Sequence, residues 1–214
     1  MSKSYQTPTS LITKDLKCKI ESIIHRIESQ YRCNQGLILT EADLKCLLFQ
    51  QLQELFSRNK GLHQWRCPTL DNGVYASPIH TEVPWYDENN KLAIRPDITI
   101  LQPQYLSIMQ GLIGPKLPSK QFEFSGQGII FEIKFCRYKS GISRSFLSSI
   151  QKDFNKTNRL RRQRANNSLY CYYVVFNKTD NTCPEFNNFL NENREGPNHK
   201  LEYCTGLVNF QGKK

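Results

Sequence analysis

The ten residues GIIFEIKFCR, Gly128 to Arg137, constrain the fold more than any other stretch of this chain. Strand residues alternate faces, so Ile129, Phe131, Ile133 and Phe135 point one way while Ile130, Glu132 and Lys134 point the other. One face is uniformly apolar and has to be covered, most simply by a helix. The other carries a carboxylate and an ammonium about 7 Å apart along the strand. A half-exposed strand with a solvated charge pair is the plain reading. Whether the pair does chemistry depends on what else the chain brings to that face.

The 214 residues suffice for one compact domain with peripheral additions. No run approaches the ~20 apolar residues that cross a bilayer, so no membrane partner is expected. The polar start MSKSYQTPTS lacks the apolar region of a secretory signal. A cytoplasmic chain is the expectation. Its eight cysteines show no CxxC and no paired Cys/His spacing, and several sit in apolar runs, so they read as reduced hydrophobic residues.

Along the chain, residues 15–32 carry Leu16, Ile20, Ile23, Ile24, Ile27 and Tyr31 at helical spacing, and Gly36 follows in a stop signal. A second helix opens after Thr40, a suitable N-cap, with Leu44, Leu48, Leu52 and Leu55 as its seam. ASPIHTEVPWY and KLAIRPDITIL, separated by DENN, read as a hairpin whose first arm is an edge strand because of Pro78 and Pro84. Residues 102–127 read as an insertion with little regular structure. After the GIIFEIKFCR strand come a helix over 143–164, a buried strand NSLYCYYVVFN, and a short helix with Pro184 in its first turn. HKLEYCTGLVNFQGKK has no clear period.

The hairpin places Asp97, in RPDI, one strand before Glu132. Where adjacent strands diverge, two carboxylates can converge on a hard cation such as Mg²⁺ or Mn²⁺, which takes oxygen ligands and keeps waters. Asp97, Glu132 and the Ile133 backbone carbonyl would hold it. Such an ion polarises a phosphoryl oxygen and acidifies water. Lys134 would orient or activate that water, or neutralise charge developing on the phosphate.

These residues resemble the PD-(D/E)XK nuclease superfamily, the restriction-endonuclease-like fold. The Pro96-Asp97 pair and the Glu132-Ile133-Lys134 triplet match its motif, and the element order from about residue 40 to 177 matches its core. The resemblance implies an α/β fold with an αβββαβ core, a mixed central sheet flanked by helices, and extra N- and C-terminal helices. The core would span 40–180. Residues 1–39 would be a leader and a helix packing on it, and 181–214 a C-terminal helix and tail. It implies a metal-dependent phosphodiester hydrolase acting on DNA, with catalytic Asp97, Glu132 and Lys134. The 35-residue gap from Asp97 to Glu132 requires 102–127 to loop out, as a substrate-binding or dimerising element compatible with a homodimer. Family members often add a carboxylate from the first core helix. Glu41 lies within about 20° of Leu48 and Leu52, whereas Glu54 lies about 120° away, so Glu41 is the candidate, with first-turn capping as its alternative role. Glu82, on the strand face of His80, is a further candidate ligand.

Net charge is +10, and its location narrows the partner. Lys134 to Arg164 holds ten basic residues against one acid, Asp153. Such a concentration favours a polyanion, because phosphate contacts release counterions. Lys139, Arg144, Lys152, Lys156, Arg159, Arg161, Arg162 and Arg164 are the candidate phosphate contacts, fixing backbone position without reading sequence. RNA fits these contacts as well as DNA. A catalytically inactive nucleic-acid-binding or protein-interaction module on the same fold is the competing reading.

Overall fold

A computed structural model describes residues 10–57, 67–71, 74–86, 89, 91–108, 122–163 and 169–206. Four α-helices are present among them: α1 (Lys14–Cys33), α2 (Glu41–Ser57), α3 (Arg144–Gln163) and α4 (Pro184–Asn193). The strands in chain order are β1 (Cys67–Pro68), β2 (Tyr75–Ala76), β3 (Ile79–Thr81), β4 (Trp85–Tyr86), β5 (Leu92–Ile94) and β6 (Ile98–Leu101). They continue with β7 (Leu106–Ile108), β8 (Phe122–Phe124), β9 (Gly128–Cys136), β10 (Leu169–Asn177), β11 (Glu195–Gly196) and β12 (His199–Thr205).

Six strands form one mixed sheet in the order β11-β12-β10-β9-β6-β3. β9, β10 and β12 run parallel, and β6 is antiparallel to both β9 and β3. Strand alternation decides what covers each side. Ile129, Phe131, Ile133 and Phe135 join Tyr170, Tyr172, Val174 and Phe176 under α1 and α2. On the opposite side Ile130, Cys171, Tyr173, Val175 and Leu201 pack with Leu147, Ile150, Phe154 and Leu160 of α3 and Phe186 of α4. Covered on both sides, β10 is buried at every position, which explains its unbroken apolar and aromatic sequence.

The start of α2 follows its sequence signal, whereas α1 stops at an extended Asn34 and Gly36 is not left-handed. Thr40 Oγ1 accepts from the Asp43 N–H (3.1 Å), and Asp43 Oδ2 accepts from the N–H groups of Leu39 and Thr40 (3.0 and 2.9 Å). In the turn from β9 into α3, Gly141 takes φ 75°, and a Cβ there would lie 1.9 Å from the Asn181 carbonyl oxygen.

Three expectations change. The hairpin is two ladders rather than one: β3 pairs with β6 in the main sheet, while β4 and β5 form a separate pair with a register shift at Trp85/Tyr86. The 102–127 segment is anchored at both ends, because β7 pairs with β8 and buries Leu106 and Phe124 against the α3 side of the core. Its residues 109–121 lie outside the described residues. Lastly, the aperiodic C-terminal stretch contains β12, whose parallel pairing with β10 is a long-range contact that no local period encodes. Among the described residues no helix is long and apolar enough to cross a membrane, and all eight cysteines are free thiols.

Candidate active site

The site is built where β6 leaves β9. Their ladder runs as far as the Asp97 N–H, which donates to the Phe131 carbonyl (3.0 Å). Pro96, next in that direction, has no N–H to extend it. The following β9 amides on that edge therefore need other acceptors, and carboxylates supply them. Asp97 Oδ2 accepts from the Ile133 N–H at 2.8 Å, and Glu41 Oε2, reaching over from α2, accepts from the Phe135 N–H at 3.2 Å. Strand geometry turns the Ile133 carbonyl to the same edge as its amide. Glu41 is thus tied to β9, while capping of α2 falls to Thr40 and Asp43.

Glu132 and Lys134 lie on the α3 side of the sheet, and α3 meets them with its single acid. Lys134 Nζ is 3.0 Å from Asp153 Oδ2, and Lys156 Nζ is 3.4 Å from Asp153 Oδ1. Across the site, Lys45 of α2 donates to Glu82 Oε1 at 2.7 Å and stands 3.9 Å from Asp97 Oδ1. Glu82 lies just past β3 and has φ 53°, the one left-handed non-glycine among the described residues.

Each titration follows from these neighbours. Burial raises the Glu132 carboxyl to about 8, reinforced by Asp97 and Asp153 and opposed by Lys134 and Lys156. Asp97 and Glu41 are also raised by burial, with the Ile133 and Phe135 N–H groups and Lys134 drawing them back. Burial pulls Lys134 down, but the Asp153 hydrogen bond and the charges of Glu41 and Glu132 more than offset it, so its ammonium is held above the ordinary lysine range. Lys45 is raised by its bond to Glu82, and Glu82 is lowered by the same bond. His80 is withdrawn from this group. Its Nε2 is 2.7 Å from the Ser77 carbonyl oxygen, and burial lowers its pKa.

Five carboxylates (Glu41, Glu82, Asp97, Glu132, Asp153) therefore interact with three ammonium groups (Lys45, Lys134, Lys156). Arg95 also acts on Glu82, and Glu132, raised to about 8, keeps its proton near neutral pH, so a divalent ion bound here would displace that proton. Yet among the described residues no group of three or more His, Cys, Asp and Glu side chains is gathered closely enough to hold a metal ion. Asp97 and Glu41 each spend one carboxylate oxygen on a backbone amide. Asp97, Glu132 and the Ile133 carbonyl are the oxygen donors here that could hold a hard cation, and an ion held by so few would keep most of its water.

The basic residues divide into groups. Lys152, Lys156 and Arg159 join Ser148, Gln151 and Asn155 along an open groove of about 590 Å³ on the outer face of α3. Arg162 and Lys139 are exposed. Arg144 is engaged with Glu185 of α4 (Nε to Oε1, 2.7 Å). Arg161 departs from the expectation of a solvent-facing contact. It is partly buried, with Nη1 enclosed and unpartnered, and its charge acts on Cys171, Tyr173 and His199. Arg164 lies outside the described residues.

Sequence reasoning assigned no role to Lys45 or Asp153. Each had a signal: Lys45 is one helical turn beyond Glu41, and Asp153 is the lone acid in a strongly basic segment. The chain matches no protein-family model, no curated protein and no solved structure.

Proposed function

We propose that this protein is a divalent-metal-dependent nuclease of the restriction-endonuclease-like type, acting on DNA. The observation that carries the reading is the meeting of acids where β6 leaves β9: Asp97 accepts from the Ile133 amide, between Glu132 and Lys134 in the chain, and Glu132 is raised first by burial and then by Asp97. A carboxylate pair that repels itself in a half-buried site is relieved by a cation or by a proton. Motif order supports the same reading, since Pro96-Asp97 lead directly into β6 and Glu132-Ile133-Lys134 sit on its antiparallel neighbour β9.

The roles of the chain's own residues follow. Asp97 and Glu132, with the Ile133 carbonyl, hold Mg²⁺ or Mn²⁺, which when bound supplies Lewis-acid polarisation of the phosphate and a more acidic water. Lys134, kept protonated by Asp153, presents an ammonium to charge building up on a phosphoryl oxygen. The α3 groove seats the phosphate backbone, and Lys156, shared between groove and Asp153, links that seat to the site. The second reading, a non-catalytic nucleic-acid-binding module, is favoured by the absence of a compact three-ligand group among the described residues.

One assay separates the two. Linear, circular, single-stranded and branched DNA are incubated with the protein in Mg²⁺, in Mn²⁺ and in EDTA. Metal-dependent cleavage is expected, reduced at least about a hundredfold in Lys134→Ala. Tight DNA binding with no cleavage in either metal would establish the non-catalytic module instead.

A further inference from the structure

Lys45 and Glu82 form a unit that the metal-site chemistry does not use. Lys45 is half-buried on the site-facing side of α2, one turn from Glu41. Its ammonium bridges Glu82 Oε1 (2.7 Å) and Asp97 Oδ1 (3.9 Å), the Asp97 oxygen not spent on the Ile133 amide. Glu82 has an exposed carboxylate, so burial gives it no reason to seek a partner, yet its backbone adopts φ 53°. A left-handed conformation at a glutamate is unfavourable, and such residues concentrate where a side chain must be aimed. The Glu82 N–H donates to the Asp97 carbonyl (3.3 Å), while the Glu82 carboxylate reaches Asp97 only through the Lys45 ammonium.

Resting on the metal-dependent reading above, we propose that Lys45 is a tethered ammonium gate: held by Glu82 against the free oxygen of Asp97, it competes with the divalent cation for that carboxylate. Glu82 is then the tether and not a metal ligand. The gate keeps Asp97 charge-balanced when no ion is bound, and it makes ion binding depend on moving Lys45 aside. A phosphate entering the site, itself an acceptor for an ammonium, draws Lys45 off Asp97, so substrate and metal bind cooperatively.

The test is Mn²⁺ affinity, read by the loss of the free-ion paramagnetic resonance signal with no substrate present. Lys45→Gln is expected to tighten Mn²⁺ binding about tenfold, and Lys45→Arg, which keeps the charge, to leave it near that of the wild type. Glu82→Gln in the Lys45→Gln background is expected to change nothing further. Unchanged or weaker affinity in Lys45→Gln overturns the gate. A tenfold loss on adding Glu82→Gln makes Glu82 a ligand and overturns the tether. No Mn²⁺ uptake by wild type or variants at millimolar concentration removes the metal reading, and the gate with it.

Discussion

At the scale of single residues, Glu132 makes a prediction that needs no substrate. Its carboxyl is raised to about 8 in the folded protein, from an ordinary value of 4.5. Across that interval the folded chain retains a proton that the unfolded chain has released, so stability is greatest at low pH and falls as pH rises, levelling off above about 8. The slope attributable to this group is on the order of 1 kcal/mol per pH unit. Thermal unfolding in EDTA should show wild type losing stability between pH 5 and 8 relative to Glu132→Gln, and added Mn²⁺ should restore it at pH 8. A difference between the two proteins that does not vary with pH would show Glu132 already ionised. Asp97 calls for a milder substitution. Asp97→Asn keeps an oxygen for the Ile133 amide, so folding should survive while metal-dependent cleavage is lost, whereas Asp97→Ala also leaves that amide without its acceptor, at a cost of about 1–3 kcal/mol.

At the scale of elements, α3 does two jobs, and the residues that do them are separable. Its inner side fills the core with Leu147, Ile150, Phe154 and Leu160, and its outer side presents Lys152, Lys156 and Arg159. Replacing those three with glutamine should weaken DNA binding and flatten its salt dependence, the log–log slope falling by about 0.9 for each duplex phosphate left without its cation. Arg161→Gln should leave the slope nearly unchanged and raise thermal stability instead, because it removes an enclosed guanidinium nitrogen that has no hydrogen-bond partner. Binding measured across a salt series gives the first result, and a melting curve the second. The turn that launches α3 can be tested too. Gly141→Ala forces a left-handed backbone on a residue with a Cβ aimed at the Asn181 carbonyl, and it should destabilise by at least about 1–2 kcal/mol in chemical denaturation. Helices were the most legible elements because each carries its own period and cap: α1, α2 and α3 start and stop within about two residues of their signals. β12 was illegible for the converse reason. What makes it a strand is β10, some 30 residues away in sequence, and its half-buried positions dilute any alternation.

For the molecule as a whole, the sheet brings distant parts of the chain to one point. Asp97 and Glu132 are 35 residues apart in sequence, yet their strands are hydrogen-bonded neighbours, and Glu41 from α2 closes on the same edge of β9. The order of the two motifs implied that Asp97 and Glu132 lie on adjacent strands, although their 35-residue gap is long for such neighbours and requires 102–127 to loop out. It did not foretell the lysines' partners, because Asp153 and Lys45 reach the site through helix packing, which depends on helix rotation and not on sequence distance. Nor did it separate Arg161 from its neighbours. A run of basic residues reads as uniform charge until the helix sets which of them face the core. The central claim is that acids from β6 and β9 share one divalent ion. The most direct measurement is anomalous scattering from crystals grown with Mn²⁺. A peak is expected between the carboxylates of Asp97 and Glu132, within bonding distance of the Ile133 carbonyl, and it should vanish in Asp97→Asn. Mn²⁺ bound elsewhere on the protein, or a site left empty at saturating Mn²⁺, would contradict the claim.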